Sequence, residues 1–188
     1  MNLFIDTSNN NLILILEKDN NVIDSFVEKN QTRLSDIVLI EINKLLKKHD
    51  LTLRNIEKFY ITKGPGSYTG VRLAITIVKT LKTVNNSFRV YAISSLAYQA
   101  GSSDCVSLLD AKGQKSYVGV YQNKRNIIVD QLLPDEYICD FCKNYKDFAL
   151  IKDYYEIDFV KNYLDLKEKF ELIEDIDNLE PVYIKNFI

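Results

Sequence analysis

The order of strand and helix patterns is the feature that most constrains the fold, because the same order occurs twice along the chain. Three short segments rich in branched residues, a helical segment and a further strand extend over 3–62, and a similar series begins again at residue 105. Each series opens with an apolar strand that ends in an aspartate, Asp6 in the first and Asp110 in the second. A unit repeated within one chain predicts a duplicated α/β architecture whose two halves face a cleft.

The repeated unit has the strand and helix order of a ribonuclease-H-like domain, and its predicted elements can be listed. In the first half we predict strands at 3–6, 12–18, 22–28, 56–62 and 89–95, and helices at 33–48, 68–84 and from Ser95 onward. In the second half we predict strands at 105–111, 115–122, 126–131 and 148–151, and a helix at 135–146. We therefore predict two ribonuclease-H-like subdomains, 1–102 and 103–188, of which the second is truncated.

Charge and hydropathy exclude several classes of protein. The net charge of -2 leaves no basic footprint for autonomous binding of tRNA or DNA. No run of about 18 apolar residues predicts a membrane span, and the start "MNLFIDTSNN" lacks a basic segment followed by an apolar one. The sequence predicts a soluble, cytoplasmic protein.

Cysteine and histidine usage argues against a disulfide framework and against a zinc site. The chain has three cysteines, an odd number, and a single histidine, His49, which we expect at a solvated position near a helix end. Cys139 and Cys142 form a C-x-x-C in an amphipathic helix pattern, where both side chains can face the core. We predict no metal bound by this chain.

The segment "KGPGSYTGVR" at 63–72 holds three of the six glycines and invites comparison with phosphate-binding loops. It lacks the lysine of a Walker loop, and its G-x-G-x-x-x-G spacing differs from the dinucleotide fingerprint. We predict instead a tight turn followed by a helix cap, although an anion at the helix N-terminus remains an alternative. The residues assigned to this turn and cap are Gly64, Pro65, Gly66, Ser67, Thr69, Gly70 and Arg72.

A nucleotide site in the cleft would need glycines after the first strand of each half, because phosphate oxygens must approach backbone N–H groups. The residues that follow Asp6 and Asp110 include no such glycine turn, and no glycine occurs beyond Gly119. We predict no cofactor in this chain. The two aspartates are expected to end their strands and to accept hydrogen bonds from nearby backbone amides.

The two long helices of the first half are apolar over more of their circumference than one packing surface requires. In 68–84 the apolar side chains cover an arc of roughly 200°, and 33–48 is similarly broad. One face of each helix can cover the sheet while another meets a second subunit, and complete burial inside the chain is the alternative. The predicted partner interface comprises Leu34, Ile37, Val38, Val71, Ala74, Ile75 and Val78.

Several stretches together resemble one family. "FIDTS", "GPGSYTGVRLAITIVKTL", "VYAISSLA", "LLDAKGQKSYVGVY" and "PVYIKN" are similar, in order, to motifs of the TsaB (YeaZ) family, small paralogues of the TsaD/Kae1 metalloenzyme. The resemblance implies the actin- and Hsp70-like ATPase (ASKHA) fold. It also implies a role in adding threonylcarbamoyl to the adenosine beside the tRNA anticodon.

In that family the metal and nucleotide sites are implied to lie on the TsaD-like metalloenzyme and a TsaE-like ATPase, and tRNA is reached through the complex. The leading hypothesis is therefore a non-catalytic partner subunit that stabilises and positions TsaD, with a homodimer also possible. Two alternatives remain, a nucleotide-dependent phosphotransferase of the same fold and a self-contained homodimeric scaffold.

Overall fold

A computed structural model describes residues 1–184 and shows two mixed sheets with helices packed against them. The first half comprises β1 (Asn2–Asp6), β2 (Leu12–Lys18), β3 (Asn21–Glu28), α1 (Leu34–Lys47), β4 (Lys58–Thr62), α2 (Tyr68–Val84), β5 (Arg89–Ile93) and α3 (Ser95–Ala100). The remainder comprises β6 (Cys105–Asp110), β7 (Lys115–Gln122), β8 (Arg125–Pro134), α4 (Asp135–Cys142), β9 (Ala149–Lys152), α5 (Phe159–Leu166) and β10 (Glu171–Leu172).

The first sheet has the strand order β10-β5-β4-β1-β2-β3. β1, β2 and β3 are antiparallel neighbours, whereas β4 and β5 run parallel to β1 after crossovers through α1 and α2. Parallel neighbours need such a helical crossover, and antiparallel ones need only a tight turn. This is the ribonuclease-H-like arrangement that the sequence predicts.

The second sheet repeats the plan and stops early. Its order is β8-β7-β6-β9, in which β6 pairs antiparallel with β7 and parallel with β9, as β1 does with β2 and β4. Among residues 1–184 no strand lies beyond β9, in the place that β5 takes in the first sheet. The predicted duplication and the truncated second half are confirmed.

After β9 the chain returns to the first sheet. β10 pairs antiparallel with β5, and the backbone N–H of Val182 donates to the carbonyl of Lys63 at 2.8 Å. Residues near the C-terminus therefore pack with the first sheet, although they follow the second one in the sequence. The boundary at residue 102 remains a prediction.

β1 and β2 form the centre of the core, because both of their faces are covered. Residues 3–5 and 12–16 are fully buried, which explains why these strands are continuously apolar instead of alternating. α1 and α2 cover one face of the first sheet. The other face contacts α3 and α5 through an aromatic cluster that joins the halves: Phe4, Tyr60, Tyr98, Tyr163 and Phe170.

Candidate functional site

The glycine-rich loop acts as a turn and helix cap. The Ser67 hydroxyl accepts a hydrogen bond from the backbone N–H of Gly70 at 3.3 Å, which satisfies one free donor at the start of α2. The N–H of Ser67 donates to the carbonyl of Ser8 at 2.7 Å and so ties the loop to the segment after β1. Gly64 has a φ of +89°, which favours glycine. The predicted turn is confirmed, with Ser67, not Thr69, as the capping residue.

Two of the glycines in this loop are needed for close packing. A Cβ atom at Gly66 would lie 2.1 Å from the carbonyl oxygen of Ser8, and one at Gly70 would lie 1.9 Å from that of Thr7. The Thr7 hydroxyl also donates to the Gly70 carbonyl at 2.7 Å. The glycines therefore let the start of α2 lie directly against the chain that leaves β1. This packing accounts for them without a phosphate.

Arg72 binds aromatic side chains on the outer surface of α2. Its guanidinium carbon lies 3.7 Å from the centre of the Tyr68 ring, and its Nε donates to the Tyr183 hydroxyl at 2.7 Å. The arginine thus joins the first turn of α2 to the C-terminal segment.

Asp6 and Asp110 end their strands and accept backbone hydrogen bonds, as predicted. The Oδ1 atom of Asp6 accepts from the N–H of Ser8 at 2.7 Å and from the Thr62 hydroxyl at 2.6 Å. Complete burial raises the pKa of Asp6 despite these bonds. Asp110 accepts from the N–H of Lys112 at 2.7 Å, and the side-chain hydrogen bond from the Lys112 ammonium lowers the pKa of Asp110.

A polar cleft of about 520 Å³ lies between the ends of β1 and β6. Its lining includes Asn9, Asn10 and Asn11 from the first half and Asp110 and Lys112 from the second. Among residues 1–184 no group of three or more His, Cys, Asp or Glu side chains is arranged to hold a metal ion.

His49 and Ser67 are each held by other contacts. Nε2 of His49 lies 2.8 Å from Oδ2 of Asp24, at the C-terminal end of α1. This imidazole is near a helix end as predicted, but it is half-buried and paired with Asp24 instead of fully solvated. The Ser67 hydroxyl is used as the helix cap, so these two residues form no nucleophile and base pair.

The C-x-x-C motif lies on α4, whose two cysteines have different environments. Cys139 is exposed and Cys142 is half-buried, while Cys105 in β6 is buried. The prediction that both motif cysteines face the core is wrong for Cys139. α4 packs one side against β7 and β8 and has no fully buried residue, so residues three apart need not share its covered side.

The predicted interface side chains face the core of the chain. Six of the seven are buried, and the seventh, Ile37, is half-buried. The buried six are Leu34, Val38, Val71, Ala74, Ile75 and Val78. They pack against β1, β2 and β4 in one hydrophobic cluster, so the isolated chain does not present them to a partner. The choice of these side chains is corrected here, and a partner surface on α1 and α2 has to use other side chains of the two helices.

An apolar groove of about 910 Å³ lies between α1 and α2, and we call it the α1/α2 groove. It reaches the first sheet, because Leu3 of β1 and Phe59 of β4 are among the residues that line it. Its apolar lining residues include Leu39, Ile42, Leu46, Leu51, Leu53, Leu73, Ile77 and Leu81. Leu39 is 61% exposed, and the adjacent Ile40 is 53% exposed. The sequence signal for this groove was that the apolar side chains of the two helices cover a wider arc than one packing surface requires. The width of the arc did not show which of these side chains remain exposed.

In the part of the chain that the structure describes, no helix has the length and apolarity needed to cross a membrane. The polar cleft and the α1/α2 groove are two concave features of the molecule's surface. Two ribonuclease-H-like halves that face a cleft, with the second half shortened, define a small member of the actin- and Hsp70-like ATPase fold.

Comparisons with known proteins agree with this class. The family model for TsaD, tRNA N6-adenosine threonylcarbamoyltransferase, matches residues 26–142. The MG208 homolog of Mycoplasma pneumoniae is 32% identical over 98% of this chain and 94% of its own length. The tRNA threonylcarbamoyladenosine biosynthesis protein TsaB of Bacillus subtilis is 33% identical over 72% of this chain and 61% of its own length. The chain belongs to the TsaB (YeaZ) family, which takes part in threonylcarbamoyladenosine modification of tRNA.

A solved structure shows the same fold. YeaZ from Pseudomonas aeruginosa superposes with a TM-score of 0.77, covering 97% of this chain and 99% of its own, at 20% identity. The fold predicted from the strand and helix order is thereby confirmed.

Proposed function

We propose that this chain is a non-catalytic subunit of the machinery that forms threonylcarbamoyladenosine in tRNA, and that it stabilises and positions a TsaD-like transferase. The observation that carries the proposal is the α1/α2 groove. A contiguous apolar patch that is rimmed by polar residues often marks an interaction site.

The groove has the composition expected of a protein interface. Leucine, isoleucine and phenylalanine side chains line it, together with the polar residues Asn43, Thr76 and Thr80. An apolar centre with polar groups around it is the common anatomy of such interfaces. Two adjacent helices can receive two helices of a partner in a bundle, which would cover Leu39 and Ile40.

The division of labour in the complex is part of the same proposal. The transfer chemistry, with its metal and nucleotide, belongs to the TsaD-like and TsaE-like partners, and this chain carries no cofactor. It reaches tRNA through the complex, in the cytoplasm. The burial of Asp6 supports this assignment, because its carboxyl group is not exposed to a ligand in the cleft. Its Oδ1 atom accepts hydrogen bonds from Ser8 and Thr62, and its buried Oδ2 atom has no hydrogen-bond partner within residues 1–184.

The proposal is tested with purified chain, the TsaD-like and TsaE-like proteins of the same genome, and an assay of threonylcarbamoyl transfer to tRNA. Leu39→Asp places a charge in the groove at a position that is already exposed, so the fold should survive. We expect at least about a thirtyfold loss of affinity for the TsaD-like protein, the size of a central interface residue, and a parallel loss of transfer. Val129→Asp is the matched control, because Val129 is 81% exposed on β8 in the other sheet.

Substitutions at Val71 or Val78 would not serve, since both side chains are buried and an aspartate there would unfold the chain. Full transfer activity without this chain would contradict the proposal. Unchanged pairing of the Leu39→Asp variant would show that another surface binds the partner. Calorimetric binding of ATP to the isolated chain would instead favour a phosphotransferase.

A further inference from the structure

The charges around the α1/α2 groove are unbalanced. Lys47 and Arg54 are the charged residues that line it, and both are exposed. Within residues 1–184 the side chain of neither residue forms a hydrogen bond or an ion pair. Lys44, one turn before Lys47, differs because its ammonium lies 2.7 Å from the Glu41 carboxylate. The groove therefore presents two positive charges that the chain itself does not neutralise.

The walls of the groove supply no compensating carboxylate. α2 contains no acidic residue, and two of its cations are occupied by backbone carbonyls. The Lys79 ammonium donates to the carbonyl of Asp177 at 3.1 Å, and that of Lys82 donates to the carbonyl of Asn86 at 2.6 Å. On α1 the carboxylates belong to Asp36 and Glu41, and neither side chain lines the groove.

We propose that Lys47 and Arg54 select the occupant of the groove: a partner helix pair whose apolar stripe is flanked by carboxylates, in preference to a second copy of this chain. This inference rests on the proposed function, because it concerns the same surface. Positive groups beside an apolar floor attract carboxylates and repel other cations, which adds specificity to an affinity that comes from apolar burial.

The symmetry of a self-pairing explains the preference. Two identical chains that meet groove to groove do so about a twofold axis, so each presents the same surface to the other. The interface then contains Lys47 and Arg54 of both copies, which are four cations, and neither groove lining provides a carboxylate to neutralise them. A partner with carboxylates at the corresponding positions removes this repulsion and gains ion pairs instead.

The first experiment measures affinity for the TsaD-like protein. Lys47→Glu combined with Arg54→Glu should weaken binding about tenfold in 50 mM salt, because each rim pair contributes about 0.5–1 kcal/mol. At 0.5 M salt the difference should nearly vanish through screening. The matched control, Lys146→Glu with Lys152→Glu, makes the same charge change at two exposed lysines of the second half whose side chains form no ion pair within residues 1–184, and it should leave affinity unchanged.

The second experiment needs no partner protein. The wild-type chain is mixed with an isotopically labelled copy of the reversed-charge variant, and native mass spectrometry counts the dimers. Mixed dimers should exceed the statistical proportion, since cations of one copy then face carboxylates of the other. A statistical proportion would overturn the charge rule.

The two proposals fail in different ways. If Leu39→Asp abolishes pairing and the charge reversal has no effect at 50 mM salt, the groove is the interface and the inference about its charges is wrong. If neither variant changes pairing, both the proposed interface and the charge rule are wrong. A loss of affinity in the reversed-charge variant that is equal at low and high salt would also contradict the charge rule.

Discussion

The fully buried carboxylate of Glu17 gives the sharpest test of how the chain is held together. Its side chain is on β2, and it accepts hydrogen bonds from the Lys167 ammonium at 2.7 Å, from the Asn2 amide at 2.6 Å and from the Tyr163 hydroxyl at 3.2 Å. Lys167 directly follows α5, so this pair fastens the returning C-terminal segment to the centre of the first sheet. Burial raises the pKa of Glu17, but the hydrogen bonds from Lys167, Asn2 and the Asn20 backbone outweigh it, and the net pKa lies below the ordinary value of 4.5.

We expect Lys167→Met to lower the free energy of unfolding by about 3 kcal/mol at pH 7, because it leaves a buried carboxylate without its cation. Glu17→Gln should cost only about 1 kcal/mol, since the amide keeps an acceptor and Lys167 retains the Asn20 side-chain oxygen at 2.7 Å. The double variant should be more stable than Lys167→Met alone, because it contains no unpaired buried charge. The expected coupling energy is about 1–2 kcal/mol.

The measurement is urea unfolding of the four proteins at several pH values. A folded-state pKa below that of the unfolded chain means that ionised Glu17 stabilises the fold above the ordinary value of 4.5, and that this contribution is lost as pH falls through the folded-state pKa. The gap between wild type and Glu17→Gln should therefore shrink on acidification below the ordinary value. A Lys167→Met variant within 1 kcal/mol of wild type, or a gap that does not change with pH, would refute the reasoning.

Three further predictions concern the loop, the buried aspartate and the cysteines. Gly70→Ala should destabilise the chain by about 3 kcal/mol or more in urea unfolding, because the added Cβ atom would meet a carbonyl oxygen at 1.9 Å. Gly113→Ala is the control: its Cβ atom has open space, and it should cost only about 1 kcal/mol because a φ of +64° is unfavourable for alanine. Equal costs would contradict the packing role. Asp6→Asn keeps the oxygen that accepts both hydrogen bonds, so its free energy of unfolding should stay within about 1 kcal/mol of the wild-type value, while Asp6→Ala should lose about 2–3 kcal/mol. Thermal melting compares the two variants, and equal melting temperatures would be inconsistent with this view. Maleimide labelling at pH 8, followed by mass spectrometry, should modify exposed Cys139 in the folded chain and Cys105 only after unfolding. Cys105 is protected because burial raises the pKa of its thiol to about 12. Labelling of both cysteines at the same rate would argue against this.

Much of the fold could be predicted because local signals agreed with one another. The branched-rich segment 12–18 predicted the strand β2, and the structure places β2 at Leu12–Lys18. Serine before an apolar helical pattern predicted the start of α2, and Ser67 caps it. The second half matched the first strand by strand up to β9, so a single internal comparison identified the architecture.

The site was harder to predict than the fold, because a partner surface depends on which apolar side chains remain uncovered. The sequence indicated that α1 and α2 carry more apolar residues than one packing surface needs, and we assigned the partner surface to side chains that are buried in the chain. The six buried residues that we assigned to the interface include Val38 and Val71, which belong to the same apolar arcs of α1 and α2 as Leu39 and Leu73. Hydrophobic periodicity shows how wide such an arc is, but it does not show which residues of the arc are buried. The position of the helices on the sheet decides it.

The amino-acid sequence by itself determined the elements, their order, the repeated plan and the caps and turns, because these depend on residues close together in the chain. Only the tertiary structure decided that Gly66 and Gly70 serve close packing, that Glu17 pairs with Lys167, and that Leu39 faces outward while Val38 faces the sheet. Each of these facts joins residues or surfaces far apart in the sequence. Such contacts are set by how whole elements pack, and no local pattern of side chains records them.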